Sequence, residues 1–287
     1  MGKDSRIEWT HHTFNPWWGC VKVSAACDHC YAETWAKRLG ADVWGPKTER
    51  RFFTDAHWKE PLRWNREASE AGERRRVFCA SMADVFENRP DLIAPRARLL
   101  ALIEQTPHLD WLLLTKRIHL VQKLLPKGYE LPSNVWLGTT VENQDSADKR
   151  IKYLLKFKTP SVRFLSCEPL LGPVDIAQYL IKNEKGVRVD WVIAGGESGA
   201  GSRPMEPLWP DALRKQCTKA RVPFHFKQWG HWAPADLASD VMTPRTPIHV
   251  VRQDGTEVML AAVGKGKAGR ILGGRQWDQF PKSILRA

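Results

Sequence analysis

Three of the six cysteines stand within eleven residues, as Cys20, Cys27 and Cys30 in the stretch Trp17-Trp18-Gly19-Cys20-Val21-Lys22-Val23-Ser24-Ala25-Ala26-Cys27-Asp28-His29-Cys30-Tyr31-Ala32-Glu33. Their spacing is C-x6-C-x2-C. Thiolates gathered in one loop bind a soft metal or an iron–sulfur cluster. A structural zinc takes four ligands, so a fourth would come from His29, Cys79, Cys167 or Cys217. Three cysteines on a four-iron cluster leave one iron without a protein ligand, and that open position can hold a substrate or cofactor. A disulfide with a spare thiol, or a C-x-x-C redox pair that leaves Cys20 unexplained, are the remaining readings.

Further candidates come from the ends of short apolar runs. The runs are 77–80, 111–114, 135–138, 162–165, 191–194 and 223–226, and a first strand lies within 7–19. They are near-continuous rather than alternating, which suits strands buried on both faces of a parallel sheet. After them come Ser81-Met82-Ala83-Asp84, Thr115-Lys116-Arg117, Thr139-Thr140-Val141-Glu142, Ser166-Cys167-Glu168-Pro169, Gly195-Gly196-Glu197-Ser198-Gly199 and Lys227-Gln228-Trp229-Gly230. In parallel α/β folds the site lies at the carboxyl ends of the strands. Asp84, Glu142, Glu168 and Glu197 are thus candidates for ribose hydroxyls or an amino group. Lys116, Arg117 and Lys227 could hold a carboxylate or phosphate. Gly195 and Gly196 would let backbone approach a ligand. Any one such segment is ordinarily a solvated turn; six at one end point to a site.

The elements that must position these groups follow from periodicity. Helical stretches are expected at 28–40, 57–68, 92–106, 116–125, 144–157 and 210–220. In the first, Tyr31, Trp35 and Leu39 recur at i, i+4 and i+8 as the apolar face. Alternating strand and helix predicts an α/β protein, a parallel (β/α) full or partial TIM-like barrel, with a doubly wound sheet as alternative. Residues 1–230 would form the barrel-like domain with the cysteine loop. Residues 231–287, richer in Pro, Gly and charge, would form an appendage with a hairpin turning at Asp254-Gly255.

The chain has 287 residues, of which 43% are hydrophobic, enough for a buried core. Lys and Arg outnumber Asp and Glu by 44 to 32, a net charge of +12 that predicts an anionic partner such as nucleic acid. The first eight residues lack an apolar stretch of the signal-peptide kind. No run reaches the roughly 18 apolar residues of a membrane span. The expected compartment is the reducing cytoplasm. Near the end, Lys265, Lys267, Arg270, Arg275 and Trp277 sit among glycines. They could contact phosphates and stack on a base, or fold the tail onto the barrel with Trp277 as a buried anchor.

A cysteine triad after the first strand of a parallel barrel resembles the radical S-adenosylmethionine superfamily. Its commoner spacing is C-x3-C-x2-C with an aromatic before the last cysteine, the slot held here by His29. A narrower resemblance, to the phage-associated three-Cys-motif family, rests on Trp18-Gly19-Cys20, Cys27, Cys30-Tyr31-Ala32-Glu33, the strand-end motifs above, Glu168-Pro169-Leu170-Leu171-Gly172, Phe226-Lys227-Gln228-Trp229-Gly230 and Ala268-Gly269-Arg270. The narrower family supplies little function; the superfamily resemblance implies a 4Fe-4S cluster on Cys20, Cys27 and Cys30. S-adenosylmethionine would lie among His29, Asp84, Glu142, Glu168, Gly195, Gly196, Glu197 and Lys227. It also implies an external one-electron reductant and a bacterial or phage-infected cell. The expected activity is hydrogen abstraction from a nucleic acid or nucleotide. The alternatives are a zinc-stabilised nucleic-acid-binding or nuclease-like protein, and a non-catalytic iron–sulfur module.

Overall fold

The computed structural model describes residues 2–157, 161–253 and 255–282. Its strands, in chain order, are β1 (His12–Thr13), β2 (Trp17–Trp18), β3 (Arg51–Phe52), β4 (Arg75–Cys79), β5 (Leu109–Thr115), β6 (Val135–Thr140), β7 (Val162–Cys167), β8 (Trp191–Gly195), β9 (Phe224–Gln228), β10 (Trp232–Pro234), β11 (Ile248–Gln253) and β12 (Thr256–Ala262). The helices are α1 (Tyr31–Arg38), α2 (Asp55–Trp58), α3 (Glu60–Glu70), α4 (Ile93–Glu104), α5 (Val121–Leu124), α6 (Gln144–Leu154), α7 (Leu208–Ala220) and α8 (Lys265–Ala268).

Seven strands form one sheet in the order β1-β4-β5-β6-β7-β8-β9, and every neighbouring pair is parallel. Sequential order with intervening helices is barrel order. A doubly wound sheet would reverse direction part-way. The sheet curls into a half-barrel, and its inner face shows this directly. Trp9, just before β1, packs its ring against Phe78 of β4 at 4.6 Å and Trp191 of β8 at 6.4 Å. Leu112, Trp136, Phe164 and Ile193 join the same cluster. Their strand neighbours Trp111, Leu113, Val135, Leu165 and Val192 point the other way, into the layer shared with the helices. Period-two alternation therefore holds, but both faces are buried, which is why the runs read as continuous.

The first strand, expected with its exit loop within 7–19, is the short pair His12 and Thr13 set against Val77 and Phe78, and the Phe14 amide adds a bond to the Phe78 carbonyl at 3.0 Å. Residues 41–54 are mainly irregular but supply β3, which pairs with β2. Helix α1 shows a reversed face. Tyr31, Trp35 and Leu39 are 54%, 46% and 52% exposed, while Ala32 and Ala36 are buried against Val43 and Met82. The helix meets the loop after β4 through these two alanines, packed with Met82 of that loop. In the sequence, the aromatic stripe is the larger apolar signal and masks this alanine face.

Beyond β9 the chain builds a three-stranded antiparallel sheet, β10-β12-β11. Asp254, half of the expected hairpin turn, lies outside the described residues. The tail then returns to the barrel. The Phe226 amide donates to the Trp277 carbonyl at 2.8 Å, and Trp191 Nε1 donates to the Gln279 carbonyl at 2.9 Å. Among the described residues no helix is long and apolar enough to cross a membrane.

Candidate functional site

A cavity of about 340 Å³ opens at the carboxyl end of the half-barrel. Cys20, Cys27 and Cys30 all line it, and the loop carrying them lies over the strand ends. The end of every long barrel strand contributes: Ser81 and Asp84 after β4, Thr115, Lys116 and Arg117 at β5, Thr140 at β6, Ser166 and Glu168 at β7, Gly196, Glu197 and Ser198 at β8, Lys227 and Gln228 at β9. Trp9 and Phe78, from the inner cluster, also border it. Gly195 and Glu142 do not.

The loop over the cavity has little regular structure, with one short 3-10 turn over Ala25–Cys27. It is tied down residue by residue. The Gly19 amide donates to the Met82 carbonyl at 3.0 Å, and the Tyr31 hydroxyl donates to the Ser81 carbonyl at 3.1 Å. Although 54% of the residue is exposed, its hydroxyl end sits deep among protein atoms, and that burial, with Cys30 and Glu168 nearby, pushes the Tyr31 phenol well above its usual range. Arg117 holds the Cys20 end: Nη2 donates to the Val21 carbonyl at 2.8 Å and Nη1 approaches Cys20 Sγ at 3.6 Å. Burial and Asp84 push the Cys20 thiol up to about 12, against the pull of Arg117. Cys79, Cys167 and Cys217 are fully buried, and burial raises each thiol. Among the described residues no three His, Cys, Asp or Glu side chains converge closely enough to hold a single metal ion.

The four candidate carboxylates differ. Asp84 is saturated by protein donors: Arg117 Nη1 at 2.9 Å, Thr115 Oγ1 at 2.7 Å, and the amides of Lys116 and Phe86 at 3.1 and 3.0 Å. Glu142 is buried against Arg150 at 2.6 Å. Burial pushes its carboxyl up, yet Arg150 outweighs that and holds it below the usual range. Glu197 is gripped by Arg203 at 2.5 Å. Glu168 pairs through Oε2 with Lys227 Nζ at 3.0 Å, while its Oε1 is buried without a hydrogen-bond partner among the described residues.

Gly196 lines the cavity and also meets a backbone contact of its own. A Cβ there would stand 1.9 Å from the Trp229 carbonyl oxygen, so the close approach is between β8 and β9 loops, whatever ligand binds. His29 lines the cavity, and its ring lies against Gly201.

The C-terminal group divides. Lys265 reaches the cavity wall, and Lys267 is exposed. Arg270 pairs with Asp278 and donates to the Lys227 carbonyl at 2.9 Å. Trp277 is 5% exposed, packed on Phe224, with its Nε1 donating to the Leu272 carbonyl, and the Arg275 guanidinium lies 3.7 Å from its ring centre. Trp277 therefore serves as the anchor, with no open ring face to offer a base. Arg203 had no signal in the sequence: it stands in an irregular loop, and its partners in the cysteine loop lie 175 residues away or more.

A family model described as "Protein of unknown function (DUF5131)" matches residues 4–281. The chain belongs to this family. No curated protein matches the DUF5131 chain. Among solved structures, it is similar to a spore photoproduct lyase variant with bound AdoMet and dinucleoside spore photoproduct. That likeness has 12% identity, 92% of this chain and 71% of that chain covered, and a TM-score of 0.46. A second spore photoproduct lyase variant gives 13%, 91%, 71% and 0.47.

Proposed function

We propose that the protein is a radical S-adenosylmethionine-type enzyme acting on a nucleic acid or nucleotide. The observation that carries this reading is the meeting of three cysteines with Glu168 and Lys227 on one cavity at the carboxyl end of a parallel half-barrel. The donor set fits a four-iron cluster, in which each thiolate binds its own iron and the ligands need not converge on one point. A single zinc would need that convergence. When bound, the reduced cluster with S-adenosylmethionine supplies a 5′-deoxyadenosyl radical for hydrogen abstraction.

The chain's own residues do the rest. Cys20, Cys27 and Cys30 bind the cluster. Arg117 places positive charge beside Cys20 Sγ, which favours the thiolate a metal needs. Glu168 Oε1 is an acceptor buried without a donor, a costly arrangement that an ammonium or hydroxyl group of the cofactor would relieve. Lys227, held by the other oxygen of Glu168, is positioned for a carboxylate. Asp84 and Glu197 back arginines instead of binding the cofactor directly, and Glu142 supports the strand end from outside the cavity. Lys116 and Lys265 line the cavity and make no ion pair among the described residues, which suits a phosphate-bearing substrate.

The test is anaerobic reconstitution with iron and sulfide, followed by titration with S-adenosylmethionine. About four irons per chain and a change in the cluster spectrum on adding the cofactor are expected. A chain that takes up zinc in preference and shows no cluster absorbance would replace this reading with the zinc alternative.

A further inference from the structure

Arg203 joins two distant parts of the chain. Its Nη2 donates to the Ala25 carbonyl at 2.8 Å, and Nη1 pairs with Asp28 at 3.4 Å. Both partners lie in the cysteine loop, on either side of Cys27. On the other side, Nη2 and Nε hold the two oxygens of Glu197 at 2.5 and 3.0 Å, and the Arg203 amide donates to Glu197 Oε2 at 2.8 Å. Glu197 is 6% exposed, so its carboxylate is a fixed anchor. The loop from Glu197 to Arg203 is thereby folded back, with its guanidinium aimed at the cysteine loop.

Two more contacts tighten this arrangement. Gly201 has φ +74°, and a Cβ there would stand 3.0 Å from His29 Cε1 and Nδ1, so the loop backbone closes on the residue before Cys30. From the outer side, the Ser202 carbonyl accepts from Trp232 Nε1 at 2.8 Å, and the Glu197 carbonyl accepts from the His231 amide at 2.8 Å. Trp232 opens β10. A continuous path of hydrogen bonds thus runs from the C-terminal sheet, through residues 197–203, to the cysteine loop.

The geometry points to residues 197–203 as a latch that holds the Cys27–Cys30 half of the loop in metal-ready shape, with Arg203 as its positioning residue and Glu197 as its anchor. This inference rests on the cluster reading above. The division of labour is plain: Arg117 from the β5 end holds Cys20 and Val21, and Arg203 holds the segment that delivers Cys27 and Cys30. An irregular loop has no hydrogen-bond ladder of its own to fix three thiols, so the fixing must come from outside it. It also gives the three-stranded sheet a role, as the support behind the latch.

The test compares wild type, Arg203→Ala, Arg203→Lys and Glu197→Gln, with Lys149→Ala as a surface control. Each chain is reconstituted anaerobically, and loss of iron to a chelator is followed. Loss should be roughly 10- to 100-fold faster in Arg203→Ala, the usual consequence of removing a group that orients metal ligands. Arg203→Lys should fall between, because an ammonium cannot span both the carbonyl and the carboxylate. A second readout needs no metal. Amide hydrogen exchange of residues 25–30 in the iron-free chain should quicken in Arg203→Ala, while exchange in β5 and β6 stays as in wild type. Equal exchange and equal iron loss in Arg203→Ala and wild type would overturn the latch. If the wild type itself takes up no iron, the cluster reading falls, and the exchange measurement still decides whether Arg203 holds the loop.

Discussion

At the scale of single residues, the cysteines divide by environment. Cys20, Cys27 and Cys30 border the cavity, whereas Cys79, Cys167 and Cys217 are packed in the core. Substituting Cys20, Cys27 or Cys30 with Ala should abolish cluster assembly, while Cys79→Ala and Cys217→Ala should keep it. Iron counts after reconstitution check this, and a Cys217→Ala chain that loses iron while Cys20→Ala retains it would reverse the assignment. Glu168 carries the second expectation. Glu168→Gln removes the charge that holds Lys227 and faces the cofactor, so affinity for S-adenosylmethionine should fall by ~1.5–3 kcal/mol, the worth of a charged hydrogen bond. Equilibrium dialysis on the reconstituted protein would show it, and unchanged affinity would place the cofactor elsewhere. The gathering of the three cysteines at one cavity was legible because a rare residue type recurs at short spacing. The carboxylates were legible only as positions. Whether Asp84 or Glu197 faces a ligand or an arginine depends on Arg117 and Arg203, and no local pattern announces Arg203.

At the scale of elements, buried strands carry strong signals because both faces of each are apolar. Helix α1 does not, since its packing face is two alanines, while Trp35 and the following Leu39 are exposed and Tyr31 turns its hydroxyl to the Ser81 carbonyl at the cavity. Strand β1 falls within the expected 7–19, and it is short although His11 and Phe14 on its flanks also donate amides to β4 carbonyls. Two histidines on barrel strands make the fold sensitive to acid. His12 on β1 and His225 on β9 are 1% and 0% exposed. Burial lowers His12 to about 4, and burial with Arg270 lowers His225 to about 3, from 6.5. Each folded value lies below the unfolded one, so the unfolded chain binds more protons as pH falls below 6.5. Stability is therefore full above about pH 6.5 and is lost on descending towards 4 and then 3, by ~1.4 kcal/mol per pH unit for each histidine. Urea unfolding at pH 7, 6 and 5 measures the slope. His225→Gln should remove about one proton's share of it, and an unaltered slope would mean that His225 is not neutral in the fold.

At the scale of the whole molecule, the charge of +12 is legible from composition, but its placement is not. Of the basic tail, Arg270 and Arg275 are engaged by Asp278 and Trp277, and Lys265 alone lines the cavity. Lys116, after β5, lines it too. Replacing Lys116 and Lys265 with Ala should weaken nucleic-acid binding and lower its salt slope by ~0.7–0.9 for each phosphate no longer neutralised. Replacing Arg270 should act on stability instead, through the tail. Binding with an unchanged slope in the Lys116/Lys265 double variant would move the nucleic-acid surface away from the cavity. The proposed half-barrel enzyme would hold a cluster and S-adenosylmethionine together for radical chemistry. The most direct measurement is to reconstitute the protein anaerobically, add dithionite and S-adenosylmethionine, and quantify 5′-deoxyadenosine with and without DNA or RNA. The wild type should yield 5′-deoxyadenosine, more of it with the correct nucleic acid, and Cys27→Ala none, as the proposed radical chemistry requires. A wild-type chain that carries its full complement of iron, binds S-adenosylmethionine and yields no 5′-deoxyadenosine under any of these conditions would contradict it.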